Sequence, residues 1–301
     1  MERKLIKQGG GGYTIYLPKK WVDEMKLKAG NLINIEQAEN ELVISPRKIK
    51  TKTSTEVKVT GLTESSIRTI LTNTYRLGYD KVTVSFEKEK QFKIINNVVK
   101  TRLLGFEIIK KEQNNCIIEN ITEPSSDQFN VLLQKILYNI TELIKITEQR
   151  LTNKAPIEDY EETEARIQQY DNFCRRVIAK KQITEKNAQL YWAFLTLIIH
   201  AQREVYHINR FLDKNKVKIS KSTLNFLKDG NNLFELLKKA YLKKDIKLLE
   251  EIHDKEKELT YKKAYNLLST IKGKENIIIG HLTIAARNIY LANSPLMGLF
   301  L

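Results

Sequence analysis

Short alternating runs fill the first 46 residues of this chain, and long helical periodicity fills its last 175 or so. Lys4–Lys7 runs into the glycines Gly9–Gly12. Tyr13–Leu17 then alternates, with Ile15 and Leu17 on one side and Thr14 and Tyr16 on the other. Pro18 lacks an amide donor and fits a strand end or helix start. A helical stretch continues to Leu27, Gly30-Asn31 stops it, and Leu32–Glu36 with Glu41–Ser45 reads as a hairpin. Strand, glycine turn, strand, helix and hairpin in so few residues cannot bury a core. The pattern predicts a unit over 1–46 that needs a second copy or a neighbouring domain.

Pro46 and the basic run Arg47–Lys50 read as a linker. Beyond it, Glu56–Thr60 alternates as a strand. Glu64–Leu77 is an amphipathic helix with Ile67, Ile70, Leu71 and Tyr75 on one side, capped by Thr63 and ended by Gly78. A strand over Lys81–Phe86 and a helix over Lys90–Leu104 follow, the helix carrying Ile94, Val98 and Leu103. Strands over Phe106–Lys110 and Cys116–Ile121 close the module. The order βαβαββ over 52–123 predicts two layers, ferredoxin-like in outline. Without a glycine-rich phosphate loop, it reads as a spacer or ligand-sensing module.

Pro124–Asp127 marks a second boundary, and only four of the 12 glycines lie beyond it. Helices are expected over Phe129–Thr152, Ile157–Lys180, Glu185–Asp213, Ser222–Tyr241, Ile246–Leu268 and Asn276–Asn293, an up-and-down bundle. Ser222 is the expected cap of the fourth, with a kink at Lys228–Gly230. Ala201–Asn209 and Ala285–Asn293 repeat Ala, Arg, Tyr and Asn in register. Two three-helix repeats, about 127–215 and 220–301, follow from that.

A net charge of +15 changes this picture little, because it is spread. Residues 1–50 carry 10 basic and 6 acidic side chains, and residues 51–125 carry 12 and 9. Of the 51 basic residues 39 are Lys and 12 are Arg, so much of the charge reads as a solvating lysine surface. Cys116 and Cys174 are isolated thiols, which excludes a disulfide framework and a zinc finger. No apolar run reaches membrane-span length and no signal-peptide pattern is present, so a cytoplasmic chain without membrane insertion is expected.

The stretches Gly11–Trp21 and Leu27–Ile33 resemble the AbrB/SpoVT/MazE group of swapped-hairpin DNA-binding domains. Asn31 stands where many members carry Asp, which keeps a turn former and removes a charge. The resemblance implies an interlocked hairpin barrel formed by two chains, binding duplex DNA through Arg3, Lys4, Lys7, Thr14, Lys19 and Lys20. Phosphate contacts would supply affinity, and Arg3, the only arginine near that face, leaves little direct reading of guanine. The tandem three-helix pattern, with Tyr75–Val82, Leu103–Ile109 and Asp171–Arg176, resembles an archaeal-type PhoU family that places an AbrB-like domain first. The whole is thus expected to be an α+β multidomain chain: hairpin barrel, ferredoxin-like module and PhoU-like bundle.

PhoU proteins commonly bind metal through paired acidic residues, and the usual pair is not intact here: Arg203–Asn209 carries Glu204, whose repeat counterpart is Asn288. Another constellation stands in its place. His200, Glu204 and His207 lie at i, i+4 and i+7 on one helical face, and Glu204–His207 and Glu250–His253 are both Glu-x-x-His. Glu161, Glu164 and Asp171 could add carboxylates for a divalent metal, the one candidate cofactor. The same spacing suits ordinary solvated helix faces. Arg203 and Arg287 suit ion pairs or phosphate recognition. There is no nucleophile elbow, P-loop or dinucleotide fingerprint, so no catalytic role is expected.

Three functions are therefore weighed. The first is a DNA-binding regulator of phosphate uptake, acting as a homodimer or higher even oligomer. The second is an adaptor docking on a phosphate ABC-transporter ATPase or a signalling kinase without binding DNA. The third is a metal-binding bundle.

Overall fold

The computed structural model describes residues 3–38, 41–46, 52–122, 126–156, 158–180 and 185–301. The chain divides into two compact units, Met1–Lys52 and Thr53–Leu301. The linker run Arg47–Lys50, Pro124 and Ser125 at the second boundary, and Ile157 lie outside the described residues.

In the first unit β1 (Ile6–Gln8) and β2 (Gly12–Thr14) pair antiparallel, Ile6 opposite Thr14 and Gln8 opposite Gly12. The turn between them needs glycine: Gly9 and Gly11 have φ of 61° and 130°, which strain any other residue. β2 ends at Thr14, so the alternation through Leu17 is not strand. Pro18, with φ −60°, leads into α1 (Lys19–Glu24). That helix stops short of Leu27 because Lys26 turns left-handed at φ 52°. Gly30-Asn31 instead shapes a separate turn, where the Asn31 Oδ1 accepts from the Lys28 amide at 2.9 Å. β3 (Ile33–Ala38) and β4 (Glu41–Pro46) form a second hairpin with Ile35 opposite Ile44. Among the described residues the two hairpins do not pair with each other and form two separate two-stranded sheets. None of this unit's described residues is buried.

The second unit opens with the expected order: β5 (Ser54–Lys58), α2 (Glu64–Arg76), β6 (Lys81–Ser85), α3 (Glu89–Arg102), β7 (Phe106–Lys111) and β8 (Asn115–Asn120). Thr63 caps α2 by accepting from the Ser66 amide, and Gly78, at φ 92°, ends it. The sheet order is β5-β6-β8-β7, with β5 and β6 parallel and β8 antiparallel to both neighbours. This corrects the ferredoxin-like outline, which needs a strand between the parallel pair. Here the first crossover sets its two strands side by side, and the tight β7–β8 hairpin extends one edge. Ile67, Leu71 and Tyr75 of α2 and Ile95, Val98 and Val99 of α3 cover Val82, Val84 and Ile118 in one core.

The rest is helical. α4 (Phe129–Leu151), α5 (Tyr160–Ala179), α6 (Glu185–Lys214), α7 (Lys221–Lys243), α8 (Ile246–Glu258), α9 (Tyr265–Thr270) and α10 (Lys274–Leu291) lead to a short α11 (Asn293–Gly298). Two expectations change. α7 passes Gly230 unbroken and is capped by Ser220, not Ser222. The helix expected over 246–268 contains a π turn at Leu259–Ala264. Among the described residues no helix is long and apolar enough to cross a membrane. The repeated asparagines do similar work: Asn209 donates to Thr147 Oγ1 on α4, and Asn293 donates to the Leu249 carbonyl on α8. Both are buried, where an amide without such bonds would be costly.

The bundle has its own apolar core, separate from that of the sheet module. A polar seam joins them, with α2 and α3 packing on α5. Arg176, fully buried, donates to the carbonyls of Tyr75 (2.9 Å) and Tyr79 (2.8 Å) and to Asp80 Oδ1 (2.6 Å). Arg76 reaches the other way, to Asn172 Oδ1 (2.8 Å) and Asp171 Oδ2 (3.1 Å). The stretches Tyr75–Val82 and Asp171–Arg176, distant in sequence, are two sides of one seam.

Candidate functional site

The proposed nucleic-acid face belongs to the first unit. Arg3 and Lys4 precede β1, Lys7 sits in it directly opposite Tyr13, and Lys19 and Lys20 open α1 after Pro18. All five basic side chains are exposed. Arg3, Lys4, Lys7 and Lys19 have no acidic partner among the described residues, and Lys20 has only Glu24, at 4.0 Å on an exposed helix turn. Such a pair is too weak to tie a lysine down. Thr14 is half-buried and donates to Gln8 Oε1 at 2.5 Å, so its hydroxyl is occupied within the β1–β2 ribbon.

Apolar exposure accompanies the charge. Leu5, Tyr13, Tyr16, Leu32 and Leu42 are each more than 60 % exposed (69, 67, 69, 63 and 68 %), and Ile35 is 57 % exposed. That much uncovered apolar surface on so small a unit is of the kind that association covers.

The metal candidates do not converge. Glu164 is held by both Nη atoms of Arg102, at 3.2 and 2.9 Å. Asp171 lies between Arg76 and Arg175, the latter at 2.9 Å. Glu204 accepts from His281 Nδ1 at 2.7 Å, a partner on α10 that no spacing within α6 signals. His200, Glu161 and Glu250 are exposed, and His253 Nδ1 is bonded to the Tyr290 hydroxyl at 3.0 Å. Among the described residues no three His, Cys, Asp or Glu side chains gather into a metal-binding group. The physical reason is the same for both buried carboxylates: arginines have taken them.

His207 stays on the bundle surface, its ring 5.9 Å from that of His281. Burial pushes its pKa down. Glu204 pulls it up, and His281, Arg203 and Arg210 push it down again, with a net fall below the ordinary histidine value. The repeat-related arginines part company here: Arg287 meets the buried Glu256 at 2.9 Å, while the Arg203 side chain has no carboxylate partner among the described residues. What sequence reasoning missed are Arg68, Arg76, Arg102 and Arg210, which look like scattered helix-surface charges until α2, α3 and α6 are brought together.

Residues 6–52 match the family model described as "Antidote-toxin recognition MazE, bacterial antitoxin". No curated protein and no solved structure matches the chain. The family match begins at β1, covers both hairpins and α1, and does not extend beyond Lys52. The first unit is thus similar to the MazE antitoxin family, within the swapped-hairpin group that Gly11–Trp21 and Leu27–Ile33 resemble.

Proposed function

We propose that this protein is a cytoplasmic, non-catalytic regulator whose first unit dimerises and binds duplex DNA, and whose residues 53–301 sense a partner or ligand. The observation that carries the reading is a family-matched unit none of whose described residues is buried, with exposed apolar side chains and five exposed basic ones. Two copies would cover the apolar surface and place ten basic groups on one body. The PhoU resemblance of the helical residues supplies the regulated system, phosphate uptake. It also supplies the partner class, a transporter ATPase or a signalling kinase.

The test is duplex-DNA binding by fluorescence anisotropy, alongside the oligomeric state by sedimentation. The full chain is expected to be an even oligomer that binds DNA with affinity falling steeply as salt rises. The variant L42K, which places charge on the apolar face, is expected to lose dimer and DNA binding together. A dimer with no salt-dependent DNA affinity would replace this reading with the adaptor, in which the first unit only dimerises. The exposed apolar face favours that second reading equally well, and only the DNA measurement separates them.

A further inference from the structure

Between α2 and α3 of the sheet module and α5 and α6 of the bundle lies a cleft of about 380 Å³. Arg68 and Arg76 of α2, Arg102 at the end of α3, and Arg203 and Arg210 of α6 line it. The chain has 12 arginines and 39 lysines, yet among the described residues five arginines and no lysine line this cleft. Chance placement in so lysine-rich a chain would favour ammonium groups. Guanidinium differs by its planar fork of donors, which matches the oxygens of phosphate.

The spacing is regular on both walls. Arg203 and Arg210 lie at i and i+7 on α6, and Arg68 and Arg76 at i and i+8 on α2, so each pair shares a helical face. Among the described residues one carboxylate, Glu164, lines the cleft, and Arg102 holds it with both terminal nitrogens. Arg76 has Asp171, but shares it with Arg175. The guanidinium groups of Arg68 and Arg203 have no hydrogen-bond or ion-pair partner among the described residues. At the repeat-related position Arg287 is neutralised by Glu256, so the missing partner belongs to the first copy alone. Burial and the charges of Arg175 and Arg203 push Arg76 below the ordinary arginine value against the pull of Asp171. Like charges lining one cleft raise its free energy, and an anion would lower it.

We propose that this cleft binds a small anion carrying two or more phosphate groups. Its volume falls in the range of small-molecule sites and far exceeds one phosphate. Guanidinium groups on two facing walls call for a ligand with charge at more than one point. Ser65, Thr69 and Asn73 add neutral donors on the α2 wall. The ligand would bridge sheet module and bundle and tighten their seam. This gives the sensing part of the reading above its ligand class. It rests on that reading only for its consequence, because binding is measured without DNA.

The experiment is isothermal titration of the full chain with inorganic tripolyphosphate, ATP and orthophosphate at about 0.15 M ionic strength. Tripolyphosphate is expected to bind saturably, one per chain, and more tightly than orthophosphate. The double variant R68Q/R203Q removes two guanidinium groups that hold no partner in the fold, so its thermal midpoint should match wild type while its affinity falls by about tenfold or more. ATP binding equal to tripolyphosphate means that phosphates alone are read; tighter ATP binding means that the cleft also holds the organic part. Both support the site. Absence of saturable binding, orthophosphate binding as tightly as tripolyphosphate, or equal binding by R68Q/R203Q overturns the proposal. So does loss of binding in K19Q/K20Q, which would put the site on the first unit, or a loss of duplex-DNA affinity in R68Q/R203Q matching its loss for tripolyphosphate.

Discussion

Replacing Arg176 with alanine is expected to cost about 3–5 kcal/mol of unfolding free energy, the range for breaking a buried ion pair by removing one partner. Arg176 has no exposed surface, and it satisfies the carbonyls of Tyr75 and Tyr79 where α2 ends. Its guanidinium also packs between the rings of Tyr75 and Phe106, at 5.0 and 4.9 Å. Removal strands the part-buried Tyr79 carbonyl, leaves the Tyr75 carbonyl with the Gly78 amide (3.0 Å), and leaves Asp80 with Lys180, at 2.7 Å, as its remaining charge partner. Burial alone would push the Asp80 carboxyl up. Hydrogen bonds from Lys180 and Thr53 and the charges of Lys180 and Arg176 outweigh it and hold the group below the ordinary aspartate value. A depressed aspartate contributes stability that is present above the unfolded-state pKa and lost as pH falls through the folded one. Urea unfolding by circular dichroism should therefore show wild type losing stability on acidification below the ordinary aspartate range. In R176A that acid-sensitive part should shrink. A total loss below about 1 kcal/mol would mean that the seam does not depend on this residue.

The second large effect concerns Lys19 and Lys20. Lysines in the first turn of a helix oppose its dipole, and α1 has no acidic residue there to offset them. Local stability therefore does not account for their position. In a dimer K19Q/K20Q would remove up to four phosphate contacts, lowering the slope of log affinity against log salt by about 3–4. The fall in DNA affinity between about 50 and 200 mM salt should then be about a hundredfold smaller than in wild type. Anisotropy titrations at four salt concentrations decide it. An unchanged slope would place the phosphate contacts elsewhere.

Periodicity carried the elements of this fold but not their assembly. The βαβαββ order and the long helices were legible because buried positions recur at the spacing of each element and Thr63 and Gly78 punctuate them. Sheet order was not, since nothing in Phe106–Lys111 or Asn115–Asn120 states which strand lies beside β6. The kink expected at Gly230 failed because Leu227, Leu233, Phe234 and Leu237 bury one continuous face of α7, and packing outweighs the local penalty of one glycine. The metal reading illustrates the limit most clearly. Spacing along α6 puts His200, Glu204 and His207 on one side, but it is silent about the arginines and His281 that neighbouring helices bring. Arg203 and Arg287 were legible as a repeated pair. Their different surroundings were not.

The proposed dimerisation of the first unit, none of whose described residues is buried, has a consequence for dosage. A domain that acquires its core only by association folds as a second-order process, and its folded fraction follows the amount of chain present. Lowering the copy number would then silence DNA binding more than in proportion, without any effector. The helical unit, which has its own cores, would stay folded throughout. In such a protein, expression level is itself an input.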